Sequence, residues 1–185
     1  YADYKDMWTV DVFDIFNDSY GVEKNNISKE YIESSEKLNP SNRDNIIGIQ
    51  SQIWSETIRN EDILDYMFMP NIIVFSQKAW SQDPEWMKIS DKTKREFTLN
   101  YEWNKFTNTI GQRVLPIIDN IYDGLSYDLP KPGGIIKNDS LYANSVFPGL
   151  NIKYTIDGSL PDIESMNYNS PVKLNQDDIV NLRLF

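Results

Sequence analysis

Apolar positions along the chain change their period several times, and each change marks an element. Met7, Trp8, Val10, Val12, Phe13, Ile15 and Phe16, with Asp11 and Asp14 between them, suit a helix from about Trp8 to Asn17; a strand over Thr9–Phe13 also fits. Residues 17–45 are polar throughout and read as a surface loop with one short helix around Ser28–Lys37, broken near its end by Pro40. Ile46-Ile47-Gly48-Ile49 is a short apolar run that predicts a buried strand ending in the polar cluster Gln50-Ser51-Gln52. Beyond Glu61, helical spacing returns at Ile63, Leu64, Met67 and Phe68. It stops at Pro70 and resumes at Ile72, Ile73, Phe75, Ala79 and Trp80. A proline inside a helix costs about 3 kcal/mol, so two helices should meet at Pro70, the second with Pro70 near its first turn.

After a connector over Gln82–Met87, Asp91 is a good N-cap for the longest helix of the chain. Its apolar positions are Phe97, Tyr101, Phe106, Ile110, Val114, Ile117, Ile118 and Ile121, and Gly111 and Pro116 are expected to bend or split it. Composition shifts after Tyr122. Gly124, Pro130, Pro132, Gly133 and Gly134 follow one another closely, then come short β-type runs at Gly134–Lys137, Leu141–Asn144, Asn151–Ile156 and Ile179–Phe185. Pro148-Gly149 and Asp157-Gly158 punctuate them as turns, and the whole reads as a small all-β unit of sandwich type.

Charge and composition narrow the chemistry. The net charge of −10, with no basic cluster, repels phosphate backbones and anionic lipid, so nucleic acid is not an expected partner. The 185 residues hold no apolar span of about 20 residues, so no transmembrane helix is expected. Histidine and cysteine are both absent, which removes His-based triads, His-ligated metals and thiol chemistry. Catalysis must then run on carboxylates, hydroxyls, amides or aromatic groups. The aromatic content of 13% suits either a core of large side chains or a sugar-binding surface, and composition alone favours the core.

Trp54 and Glu56 are the central candidates. They stand two apart at the end of the predicted strand, so their side chains can point the same way. An indole wall beside a carboxylate clamps a sugar: the ring covers an apolar face and the acid accepts from paired hydroxyls. A core tryptophan beside a glutamate favoured by the following helix dipole fits the spacing slightly better.

The surrounding residues change that balance. Gly48-x-Gln50-x-Gln52-x-Trp54-Ser55-Glu56-Thr57, with Pro70, Ala79 and Trp80, resembles the last βα unit of the family 20 glycoside hydrolases, the β-N-acetylhexosaminidases and chitobiases. The resemblance runs from about residue 45 to residue 185. Asn108-Thr109-Ile110-Gly111-Gln112-Arg113 and Gly124-Leu125-Ser126-Tyr127-Asp128-Leu129-Pro130 are similar to that family's exit from its barrel. Leu141-Tyr142-Ala143-Asn144 and the stretch from Pro148 to Pro161 are similar to its C-terminal β module.

The resemblance implies an α/β fold: the C-terminal part of a (β/α)8 TIM barrel over residues 1–127, then an incomplete β-sandwich over 128–185. It implies that Trp54 lines the sugar pocket and that Glu56 binds distal hydroxyls of the terminal sugar. It also matches Tyr1 and Asp3, a Tyr-x-Asp, to substrate contacts on the preceding barrel strand; read by themselves they are equally well an ordinary chain end. The family's adjacent Asp-Glu pair does not occur here, so catalytic groups are expected upstream of Tyr1, and this chain alone should be inactive. Both chain ends read as cuts through a larger protein.

The implied parent removes terminal β-linked N-acetylhexosamine from oligosaccharides or glycoconjugates, needs no metal or organic cofactor, and works outside the cytoplasm. The alternative is a non-catalytic carbohydrate-binding or interaction module. Pro70-Asn71 replaces a usual Pro-Arg, and Gln77 replaces a usual glutamate. A lost buried ion pair would explain both changes, and a glutamate restored at Gln77 would then destabilise the fold.

Overall fold

The computed structural model describes residues 4–13, 28–121 and 124–185. By internal contacts the chain forms two compact units, Tyr1–Leu99 and Asn100–Phe185. The first is helical. Helix α1 spans Tyr4–Thr9, α2 Lys29–Ser34, α3 Glu61–Phe68, α4 Asn71–Trp80 and α5 Lys92–Thr109, the last running on into the second unit. The apolar run at Trp8–Phe13 is thus helical only to Thr9, and its continuation to Asn17 falls largely outside the described residues.

Side-chain caps start the helices where the sequence offers them. Ser28 Oγ accepts from Tyr31 N at 3.2 Å, Asn60 Oδ1 accepts from Ile63 N at 2.9 Å, and Asp91 Oδ1 accepts from Lys94 N at 2.7 Å. Each satisfies an amide that the first helical turn cannot. Pro70 divides α3 from α4 as expected. It is buried, and Asn71 beside it donates Nδ2 to Met67 O at 3.1 Å, closing the end of α3. Helix α1 packs on α4, and the core of this unit holds Pro70, Val74 and the rings of Trp8 and Trp86, whose centroids are 6.1 Å apart.

Three expectations are corrected. Ile46–Ile49 is neither a strand nor buried: the run from Ile46 to Trp54 has no regular structure, and Ile47 is 100% exposed. A strand needs a neighbour to pair with, and no described residue pairs with this run. Second, Phe97 and Tyr101 do not face the core of α5; they are 73% and 64% exposed, while Leu99, Trp103, Thr107 and Ile110 are buried. Both sets have helical spacing, so period alone could not choose between faces half a turn apart. Third, Asn71 and Gln77 stand about 120° apart around α4 and almost two turns apart along it, and Gln77 is exposed. They cannot replace a single buried pair, and Trp80, expected on the packed face, is 90% exposed.

The second unit continues α5 into a π turn at Ile110–Val114 and a short helix α6, Leu115–Ile118, with Pro116 in its first turn. The predicted interruption at Gly111 and Pro116 is therefore present. Six strands follow: β1 Gly133–Lys137, β2 Ser140–Asn144, β3 Ile152–Thr155, β4 Met166–Asn167, β5 Val172–Lys173 and β6 Asn181–Leu184. They form two antiparallel sheets, ordered β1-β2-β5 and β4-β3-β6. The two-residue strands β4 and β5 carry too little pattern to be read from sequence. A Cβ on Gly134 would lie 2.8 Å from Leu182 Cδ1, so one sheet closes on the other where the first has no side chain. Leu141, Phe147, Ile152, Leu174 and Leu184 are buried here.

The motifs around Gly111 and Pro148 meet in this unit. A Cβ on Gly111 would lie 2.9 Å from the Pro148 carbonyl oxygen, and one on Gly149 would strike the Gln112 side chain. Gln112 Nε2 in turn donates to Asn108 Oδ1 at 3.2 Å. These residues pack helix against loop. After α6, the Tyr127 hydroxyl donates to Asp119 Oδ1 at 2.8 Å; burial, helped by this bond, pushes its pKa up from 10.0 to about 12.

Three outcomes follow. Gly111→Ala gains roughly 0.5–1 kcal/mol of helix propensity but meets backbone that cannot swing aside, at about 1–3 kcal/mol. The net effect is a lower urea midpoint. Gln77→Glu on the exposed face of α4 shifts the same midpoint by less than about 0.5 kcal/mol. A raised tyrosine pKa favours the neutral phenol in the fold, so the Tyr127 contribution is full at neutral pH and is lost as pH climbs from the unfolded value toward the folded one. Ultraviolet titration should show a late phenolate, and Asp119→Asn should bring that step down while burial keeps it above 10.0.

Candidate functional site

The expected sugar-gripping residues lie where the irregular run meets a helical turn. Trp54 has extended torsions, φ −80° and ψ 131°, and caps the 3-10 turn Ser55–Thr57 that carries Glu56. Ile58 N closes this turn onto Ser55 O at 3.1 Å, and Thr57 Oγ1 donates to Met67 Sδ at 3.7 Å, tethering the turn to α3. Trp54 is 74% exposed and Glu56 is exposed. The core-tryptophan reading is thereby removed: the indole is presented on the surface. The structure brings Trp54 and Glu56 onto one turn, whereas Tyr1 and Asp3 lie outside the described residues.

The entrance to the run is held by Arg43, at the end of the 3-10 helix Pro40–Asn45. Its guanidinium lies 4.5 Å from the centroid of the Phe13 ring and 3.9 Å from Asp83 Oδ2. Two clefts, about 540 Å3 and about 560 Å3, open along the run that follows. Both are lined by Val12, Ile46, Gly48, Ile49 and Lys78, and neither reaches Trp54 or Glu56. Gln50 and Ser51, part of the Gln-x-Gln-x-Trp motif, line the second.

Lys78 is the residue that sequence reasoning passed over. It is a half-buried cation on α4 in the wall common to both clefts. Burial lowers its pKa below the usual lysine value, against the opposing pull of Asp11 and Asp83. Its only sequence signal was its place beside Gln77 in the altered helix motif. Among the described residues no group of acidic side chains could hold a metal ion, and no helix is long and apolar enough to cross a membrane.

Comparison with known proteins agrees with the resemblance. Residues 3–83 match the glycosyl hydrolase family 20 catalytic domain, and residues 116–185 match the chitobiase/beta-hexosaminidase C-terminal domain. An N,N'-diacetylchitobiase from Vibrio harveyi is 32% identical over 120 residues, covering 60% of this chain and 13% of that protein. A beta-hexosaminidase from Vibrio vulnificus is 29% identical over 130 residues, covering 60% of this chain and 15% of that protein. The chain thus spans a small fraction of the length of these relatives. It carries sequence similar to the glycosyl hydrolase family 20 catalytic domain, followed by sequence similar to the chitobiase/beta-hexosaminidase C-terminal domain.

Proposed function

We propose that this chain is part of a β-N-acetylhexosaminidase whose Trp54 and Glu56 grip the terminal sugar. The observation that carries the reading is their presentation: an exposed indole and an exposed acid share one tethered turn, inside the Gly48-to-Thr57 motif of the matched catalytic domain. The ring supplies a flat apolar face for a pyranose, and the carboxylate supplies acceptors for its hydroxyls. Tyr1 and Asp3 are assigned to the same sugar, the tyrosine hydroxyl on the N-acetyl carbonyl and the aspartate on a ring hydroxyl. In this reading residues 1–127 supply the C-terminal part of a (β/α)8 barrel, and residues 128–185 form the β module.

The reaction proposed is hydrolysis of terminal β-linked N-acetylhexosamine with retention. The substrate's own acetamido oxygen attacks the anomeric carbon while a glutamic acid protonates the leaving oxygen. An adjacent Asp-Glu pair would supply the protein's groups, and this chain contains none, so they are assigned to the remainder of the catalytic domain. Extracytoplasmic action is part of the same proposal and rests on the family resemblance.

The test uses the full-length parent enzyme and an aryl N-acetyl-β-glucosaminide. Trp54→Ala and Glu56→Gln should each lower kcat/KM by roughly tenfold to a thousandfold, about 1.4–4 kcal/mol of transition-state binding, with the fold intact by circular dichroism. Unchanged kinetics in both variants would remove these residues from the sugar site. Sugar binding by a parent inactive on every such substrate would favour a non-catalytic carbohydrate-binding module.

A further inference from the structure

Strands β4, β3 and β6 place three polar side chains in one row. Lys153 lies opposite Asn167 on one side and opposite Arg183 on the other. Side chains alternate across a sheet, so this row shares one face, and the apolar set Ile152, Tyr154, Met166, Leu182 and Leu184 takes the other. Leu182 approaches Gly134 of the neighbouring sheet, so the polar row faces away from that sheet. Like charges directly opposite each other destabilise a sheet. Here two cations stand side by side in a chain of net charge −10. Among the described residues neither has a carboxylate within ion-pair distance. Lys153 is 9% exposed, and its ammonium makes one hydrogen bond, to Ser165 O at 3.0 Å, of the three it can donate. The loop that bears Ser165 also carries Asp162, but that carboxylate accepts from Ser165 Oγ at 2.9 Å and from Glu164 N at 3.0 Å. Arg183 is exposed, with its guanidinium 5.0 Å from the centroid of the Phe185 ring. Asn167 is exposed, and its side-chain amide has no partner among the described residues.

We propose that the row Asn167–Lys153–Arg183 binds an acidic sugar unit, one that carries a carboxylate or a sulfate ester. It goes beyond the sugar grip of Trp54 and Glu56 and does not rest on it. The acid group takes the guanidinium of Arg183, whose planar fork matches a pair of oxygens. Lys153 adds a second positive charge at the centre of the row, where burial limits screening by salt. Asn167 offers a donor and an acceptor to a sugar hydroxyl, and the Phe185 ring lies beside the guanidinium as an apolar face for a pyranose. Charge selects the class of ligand. Two local cations suit one negative group on an otherwise neutral molecule, whereas the net −10 repels a densely charged polymer such as nucleic acid. Size agrees: neighbouring strands lie about 4.8 Å apart, so the row spans roughly 9.5 Å, more than a lone oxyanion covers.

Nuclear magnetic resonance titration of the isotope-labelled 185-residue chain tests the assignment. The probes are methyl β-glucuronide, methyl β-glucoside 6-sulfate, neutral methyl β-glucoside, acetate and inorganic sulfate. At least one acidic glucoside should bind about tenfold tighter than the neutral one, moving the side-chain signals of Asn167 and Arg183. The tighter of the two tells carboxylate from sulfate ester. Equal binding of acidic and neutral glucosides, no saturable shift, or shifts confined to other residues overturns the site. Acetate or sulfate binding as tightly as the matching glucoside assigns the row to a free anion and overturns the sugar. Arg183→Gln should abolish the preference for the acidic glucoside and leave the neutral one unaffected; a preference that survives overturns the role of the row. Lys153→Met should weaken the same preference, and should that variant unfold, Arg183→Gln at its exposed position decides alone. None of these outcomes alters the kinetics of Trp54→Ala, which bear on the other reading.

Discussion

Backbone hydrogen bonding is the constraint that organises this chain. A helix pairs its own amides and carbonyls, and only its ends need help from elsewhere. Ser28, Asn60 and Asp91 supply that help from side chains, so α2, α3 and α5 begin where a capping residue stands. A strand cannot satisfy itself. Between Gly133 and Leu184 each strand finds an antiparallel neighbour in the same unit, and two small sheets form. The run from Ile47 to Trp54 finds none among the described residues, although its composition is as apolar as theirs at Ile46–Ile49.

This constraint bears directly on the proposed sugar site. Trp54 and Glu56 sit at the downstream end of the unpaired run, on a turn held from one side by α3 through Thr57 and Met67. A binding site needs its groups fixed within a fraction of an ångström, which calls for support from every direction. The helical side of that support lies within this chain. The other side falls, on the reading proposed above, to the rest of the catalytic domain. Lys78, a half-buried ammonium, has its pKa lowered by burial against the opposing pull of Asp11 and Asp83.

In the C-terminal unit the residues of the recognised motifs serve packing. Gly111 lies against the Pro148 carbonyl, Gly149 against Gln112, and Gln112 is held by Asn108. A methyl group on Gly111 would collide with backbone, and one on Gly149 with the Gln112 side chain. Asp157-Gly158 is likewise a turn: Asp157 Oδ1 accepts from Ser159 N at 3.0 Å, and Gly158 has φ +81°. The motif these residues form is one of packing.

Much of the fold was legible in the sequence because it depends on local chemistry. The caps, the division at Pro70, the interruption of the long helix at Gly111 and Pro116, and four of the β-type runs all follow from short-range rules about side chains and backbone torsions. The nearness of Trp54 and Glu56 is likewise a matter of sequence alone, since two residues that close must share a turn or a strand end. Tertiary structure alone decided the rest. It chose Leu99 and Trp103 over Phe97 and Tyr101 as the buried face of α5, because a helix with two apolar stripes buries whichever meets a neighbour. It left Ile46–Ile49 outside any sheet and turned Trp54 outward, because strand formation and burial are both properties of a pair of surfaces.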